Sequence, residues 1–234
     1  MPLIKYRRSI IPGCDVRTLK ELRNLVELTH DIDKVGAYKV GAILAICCGL
    51  PDAVRVIREY TDLPVIYDHQ KGMTDIPDLG RIFTRSLKDA GIDALIGFPM
   101  SGPSTQRTWT EDCRDVGLEV LIGGEMTHEH YRRSQGGYVS DDALDEIYLN
   151  GARQGVTNFV VPGNKPDAVV HYRELLTPRV KDGLTLYSPG FVSQGGVISE
   201  AAKAAGDSWH AIVARGIYAA KDIRAATKEL TRSL

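Results

Sequence analysis

No run in the sequence approaches the roughly 18 consecutive apolar residues of a membrane-spanning helix. The opening MPLIKYRRSIIPGC is too briefly apolar for a signal peptide, so neither anchor nor leader is expected. Cysteine is scarce, four in 234 residues, with no C-x-x-C pair, which argues against a zinc site or a disulfide framework and for a reducing cytoplasm. No charge of one sign dominates: 29 Lys+Arg stand against 30 Asp+Glu, and no global field draws nucleic acid or an anionic membrane. Any anion site must be local. No G-x-G-x-x-G follows the first apolar run, which argues against an open dinucleotide-binding sheet. Disorder and collagen-like repeats need a stronger bias than 23 Gly and 11 Pro. What remains is a globular protein whose length suits one α/β barrel domain.

Short apolar runs ending in Gly, Asp or Pro recur, each followed by a stretch with apolar residues three and four apart. Strands are predicted at Ser9–Cys14, Ala37–Gly41, Pro64–Asp68, Asp93–Phe98, Glu119–Gly124, Asn158–Gly163, Thr185–Gly190 and His210–Arg215. Helices are predicted at Arg17–His30, Asp52–Tyr60, Pro77–Ala90, Ser104–Val116, Asp141–Gln154, Lys165–Leu176, Val197–Ala205 and Ala220–Arg232. Asp52, Ser104 and Asp141 are the expected caps, and Gly91, Gly117, Gly155 and Gly206 the stops. Strands rich in Val and Ile without alternation are buried on both faces, as in a parallel sheet under helices. Eight such units predict a single (β/α)8 TIM barrel over residues 1–234.

In such a barrel the chemistry gathers at the carboxyl ends of the strands. Position alone then selects Asp15, Lys39, Asp68 with Lys71 and Asp75, Phe98 and Pro99, Glu125 to His128, Pro162 and Gly163, Gln194 to Gly196, and Arg215. Gln194, Gly195 and Gly196 precede a helix, where bare backbone amides and the helix dipole favour an anion, and Arg215 can add a bidentate guanidinium. Strands 7 and 8 are the usual phosphate position in this architecture. Lys39 sits inside an apolar strand, and a buried ammonium needs carboxylates beside it. With Asp68, Lys71 and Asp75 it forms an alternating charged group suited to catalysis.

At these residues the chain resembles the orotidine 5′-monophosphate decarboxylase family. YKVG lies at strand 2, D…K…DIP after strand 3, GEMTH after strand 5, PGNKP after strand 6, SPGFVSQGG after strand 7 and ARGIY after strand 8. The resemblance implies decarboxylation of orotidine 5′-monophosphate to uridine 5′-monophosphate, without metal or organic cofactor, by a homodimer of barrels. It further implies that Lys39 organises the array and contacts the ribose, and that Asp68 stands beside the departing carboxylate. Lys71 is then the residue that protonates C6, and Asp75 reaches the neighbouring subunit's site. Asp15 is implied at the ribose and Thr127 at the pyrimidine, where the family has Ser. Pro189, Gln194, Gly195, Gly196 and Arg215 are implied in substrate and phosphate binding.

The family's D-x-K-x-x-D is D-x-x-K-x-x-x-D here, from Asp68 to Asp75. Positions i and i+3 of a strand face opposite sides, so a bulge or loop must re-aim Lys71. The family Thr four residues after the last Asp is Leu79, and Asp78 beside it is a candidate replacement at the ribose. Two further functions stay open. One is a magnesium-dependent sugar-phosphate lyase or decarboxylase of the same superfamily, whose members carry Glu where Lys39 stands. The other is a non-catalytic nucleotide-binding relative. Cys47 and Cys48 read as buried packing residues, Trp109 and Trp209 as packing between elements, and His69 as exposed or structurally bonded. The interval from Glu119 to Asn158 is 39 residues, longer than most, and its polar stretch from His128 to Asp142 reads as a mobile loop over the barrel mouth.

Overall fold

Eight parallel strands pair in chain order and close into a barrel, β1-β2-β3-β4-β5-β6-β7-β8, in a computed structural model that describes residues 2–69, 72–181, 183–191 and 196–234. The strands are β1 (Arg8–Cys14), β2 (Tyr38–Gly41), β3 (Val65–Asp68), β4 (Ala94–Gly97), β5 (Glu119–Gly123), β6 (Asn158–Val160), β7 (Thr185–Ser188) and β8 (Trp209–Val213). Closure runs from Arg8 opposite Trp209 to Pro12 opposite Val213. Around the barrel lie α1 (Leu19–Thr29), α2 (Ala42–Cys48), α3 (Leu50–Arg58), α4 (Gly80–Asp89), α5 (Pro103–Asp115), α6 (Asp141–Arg153), α7 (Pro166–Leu176), α8 (Ile198–Ala205), α9 (Arg215–Tyr218) and α10 (Ile223–Arg232).

All eight predicted strands are present; β1 and β8 each begin one residue earlier than predicted, and every strand except β1 is shorter by one to three residues. Their lack of alternation has the anticipated cause. Ile11, Ile66, Leu121, Val160 and Ile212 fill the barrel interior, while Ile10, Val65, Val120 and Ile122 pack outward under the helices. Each large aliphatic side chain buried this way contributes about 1.5–3 kcal/mol.

The helix starts differ from expectation. Asp52 lies in the first turn of α3, whose N-cap is Gly49, and Ser104 follows the N-cap Gly102 of α5. Asp141 is the first residue of α6, and its carboxylate is taken instead by the Ser134 amide and hydroxyl at 3.0 and 2.7 Å. Side-chain caps occur where they were not predicted: Thr18 forms a capping box with Glu21, and Asp222 accepts from the Ala225 amide at 2.9 Å. The four glycine stops all take positive φ. Helix α2, AILAICC, is too uniformly apolar to show a period, and it leaves Cys47 exposed and Cys48 half-buried, correcting their assignment to the core.

His210 is buried at the amino-terminal end of the barrel, 2.7 Å from the Ser9 hydroxyl through Nδ1. Burial pushes its imidazole down to about 3. Below about pH 6.5 the unfolded chain therefore binds a proton that the folded one refuses, so stability is complete above that pH and falls as pH drops toward 3. Between pH 7 and pH 5 the loss should be about 2 kcal/mol. Urea unfolding of wild type and His210→Gln at both pH values checks this; an equal drop in the two proteins would remove His210 as the cause.

Candidate active site

On β2, Tyr38 and Val40 pack outward, so Lys39 between them faces the barrel interior. On β3, Ile66 faces inward and Asp68, two residues on, shares its side. The register sets Lys39 opposite Ile66 and Gly41 opposite Asp68, and Lys39 Nζ comes 3.2 Å from Asp68 Oδ2. From the end of β1, Asp15 offers its oxygens at 3.0 and 3.2 Å. That approach requires glycine at position 41, because a Cβ there would lie 2.8 Å from Asp15 Oδ1. Lys39 is 6% exposed and Asp68 9%, whereas the Asp15 side chain is 35% exposed. Burial alone pushes the Lys39 ammonium down, but Asp68 and Asp15 outweigh it and hold it above the ordinary lysine range. It stays charged throughout the physiological range.

Lys71 lies outside the described residues, but the chain on either side of it is defined. The Gly72 carbonyl accepts from the Phe98 amide at 2.9 Å, which pins the returning chain to the end of β4. Met73 follows with φ of +66° and buries its side chain against Gly97, where a Cβ would come 2.7 Å from Met73 Sδ. A left-handed non-glycine residue costs about 1–2 kcal/mol, so packing holds this turn in place. Strand β3 ends at Asp68, so the longer spacing falls beyond the strand. Asp75 is exposed; its carbonyl accepts from Thr105 Oγ1 at 2.9 Å, and Trp109 Nε1 donates to the Ile76 carbonyl at 3.1 Å. Helix α5 therefore fixes this loop, and Trp109 packs as expected. Asp78 and Leu79 are exposed on a one-turn 3-10 helix, Pro77–Leu79. His69 Nδ1 lies 2.6 Å from the Tyr67 hydroxyl, a bonded histidine as read from the sequence.

Asp15, Lys39, Asp68, Thr127, Pro189 and Arg215 line one cavity of about 190 Å³ at the carboxyl end of the barrel. Asp75 and Gly196 do not line it, and Gln194 and Gly195 lie outside the described residues. The Gly196 amide donates to the Gly190 carbonyl at 3.2 Å, so it closes its own loop and does not stand open to an anion. Arg215 is exposed, and its guanidinium makes no hydrogen bond or ion pair with any described residue. Among the described residues it is the cation of this cavity left available to a ligand.

Sequence reasoning selects Glu125 by position without giving it a role. In the structure it is almost completely buried beyond β5, where Arg132 donates to it, Lys165 Nζ lies at 3.0 Å and the Tyr172 hydroxyl at 2.9 Å. Burial pushes its carboxyl up, but those three donors outweigh burial and hold it below the usual range. Arg132 ties the polar stretch to the barrel, helped by Tyr131, whose hydroxyl donates to the Gly124 carbonyl at 3.0 Å. This stretch is stapled beside the cavity rather than left loose as expected. A charged residue directly after an apolar strand is the signal that could have marked Glu125.

A model of the "Orotidine 5′-phosphate decarboxylase / HUMPS family" matches residues 8–230. Over 223 residues the chain is 32% identical to the orotidine 5′-phosphate decarboxylase of Pyrococcus abyssi, covering 94% of this chain and 96% of that one. It is 29% identical over 225 residues to the enzyme of the same name from Methanosarcina mazei, with 96% and 94% covered. The orotidine 5′-monophosphate decarboxylase of Methanocaldococcus jannaschii, solved with the inhibitor BMP, shares the fold with a TM-score of 0.84 at 20% identity, over 97% of this chain and 98% of that one.

Proposed function

The chain belongs to the orotidine 5′-phosphate decarboxylase / HUMPS family, and we propose that it converts orotidine 5′-monophosphate to uridine 5′-monophosphate and CO2 in pyrimidine biosynthesis. The observation that carries this reading is the Asp15–Lys39–Asp68 group in the same cavity as Thr127 and Arg215. Breaking the bond between C6 and the carboxylate leaves its electron pair on C6. With no electron sink attached there, fixed positive charge must stabilise that pair. Lys39, held charged between two carboxylates, keeps the array in place without reorganisation, and Lys71 supplies the stabilising ammonium and then the proton that C6 takes up. Asp68 faces the departing carboxylate, Asp15 the ribose and Thr127 the pyrimidine. Arg215, with Gln194 and Gly195, grips the phosphate beside Pro189, while Gly196 closes back on Gly190. Binding energy from that remote phosphate can then be spent on the reacting centre.

The active unit is a homodimer in which Asp75 completes the partner's site. Two features support this. Asp75 is exposed and outside its own cavity, and Ile43, Ile46, Ile76, Leu79, Ile82 and Met100 are large apolar side chains exposed on the segments that follow β2, β3 and β4. Such a concentration suits a surface covered by another chain. Asp78 is exposed in the same segment, between Ile76 and Leu79. No helix among the described residues is long and apolar enough to cross a membrane, and four free cysteines suit a reducing cytoplasm.

In the magnesium-dependent alternative a metal lies among carboxylates, but here the Lys39 ammonium already fills the gap between Asp15 and Asp68. The decisive assay follows the ultraviolet absorbance of orotidine 5′-monophosphate with purified protein and a chelator present. Turnover that persists in chelator supports the proposal. A folded protein that binds uridine 5′-monophosphate but turns nothing over would be the non-catalytic relative, and chelator-abolished activity would be the metal-dependent one.

A further inference from the structure

Three successive backbone carbonyls beyond β5 are held by two adjacent side chains from the loop after β6. Lys165 Nζ donates to the Met126 carbonyl at 3.0 Å and lies 3.4 Å from that of His128, and Asn164 Nδ2 donates to the Thr127 carbonyl between them at 3.0 Å. Lys165 is itself anchored on the buried Glu125 carboxylate at 3.0 Å. Thr127 lines the cavity, and its amide and hydroxyl make no hydrogen bond with any described residue. With all three carbonyls engaged by the β6 loop, the polar groups of Thr127 left for a ligand are one donor and one hydroxyl.

We propose that Lys165 and Asn164 are positioning residues that fix the orientation of Thr127 and so set how tightly the cavity reads the substrate's base, with Glu125 holding Lys165 in register. This rests on the reading above that Thr127 faces the pyrimidine. The geometry favours a fixed reader over a flexible one. A carbonyl released from this clamp can rotate, and rotating the peptide bond between Met126 and Thr127 carries the Thr127 amide with it. Lys165 also suits the task chemically, because an ammonium has three donors and no acceptor and can serve Glu125 and two carbonyls together. The Asn164 Oδ1 atom is buried with no hydrogen-bond partner among the described residues, so among these its amide is held by its donor side.

The test is calorimetric titration of uridine 5′-monophosphate, and separately of ribose 5-phosphate, into wild type, Lys165→Met and Asn164→Ala. Both variants should bind the nucleotide about tenfold more weakly, the worth of one or two hydrogen bonds, while ribose 5-phosphate binding stays within about twofold. For turnover of orotidine 5′-monophosphate, KM should rise more than kcat falls, and Lys165→Arg should restore part of the loss. Equal weakening of both ligands, or weakening of neither, overturns the positioning role. If Lys165→Met fails to fold because Glu125 has lost one of its cations, Asn164→Ala removes no charge and decides the matter alone. A wild-type protein that binds the nucleotide no better than ribose 5-phosphate refutes the proposed function itself, and the clamp's role falls with it.

Discussion

Lys71→Ala is expected to lower turnover of orotidine 5′-monophosphate on the order of a thousandfold or more, while affinity for uridine 5′-monophosphate changes only a few-fold. The asymmetry follows from when the ammonium acts. The pair left on C6, and the proton it takes up, exist only as CO2 leaves, so the lost interaction belongs to the transition state and not to product binding. If Asp75 completes the partner's site, mixing Lys71→Ala with Asp75→Ala should recover activity. In a mixed dimer one site carries both substitutions and the other carries neither, so random pairing regenerates about one quarter of the wild-type sites. Single-turnover kinetics on the variant, and activity against mixing ratio, are the measurements. Unchanged turnover removes Lys71 from the chemistry, and absent recovery removes Asp75 from the partner's site.

Lys39→Met should impair both stability and rate. The substitution leaves Asp68, 9% exposed, without the ammonium 3.2 Å away, and breaking a buried ion pair by deleting one partner costs about 3–5 kcal/mol. The Asp15 half adds little, because that carboxylate is about a third exposed and solvent screens it. Turnover should fall on the order of a hundredfold or more, since two like charges then share the space where the ammonium held them apart. Urea midpoints compared with those of Lys39→Met/Asp68→Asn separate the two effects. The double variant should recover much of the lost stability and none of the lost rate. Equal instability in single and double variants would mean that lost packing of the lysine stem, and not the lost Lys39–Asp68 ion pair, is responsible.

The strands were legible because their signal is local. Apolar runs buried on both faces and stopped by Gly, Asp or Pro read the same in sequence and in the barrel, and the glycines ending α4, α5, α6 and α8 take the backbone conformation that favours glycine. Caps were less legible, because a side chain near a helix start has rivals. Asp141 was taken by Ser134, seven residues back, which periodicity cannot register. The helix α2 escaped because uniform apolarity carries no phase.

The sequence by itself determined the order of eight strand-helix units, the strand ends that bear charge and the motifs that place the chain in its family. Side-chain direction along a strand has period two, and a motif is a contiguous string, so both survive in one dimension. Only the tertiary structure decided which of those strand-end residues meet. Closure of the barrel sets Lys39 between Asp15 and Asp68, leaves Asp75 outside the cavity of its own chain, and carries Asn164 and Lys165 to the carbonyls around Thr127. Those contacts span from 24 to 39 residues of chain, and their distances follow from strand register and loop path, which no local pattern encodes.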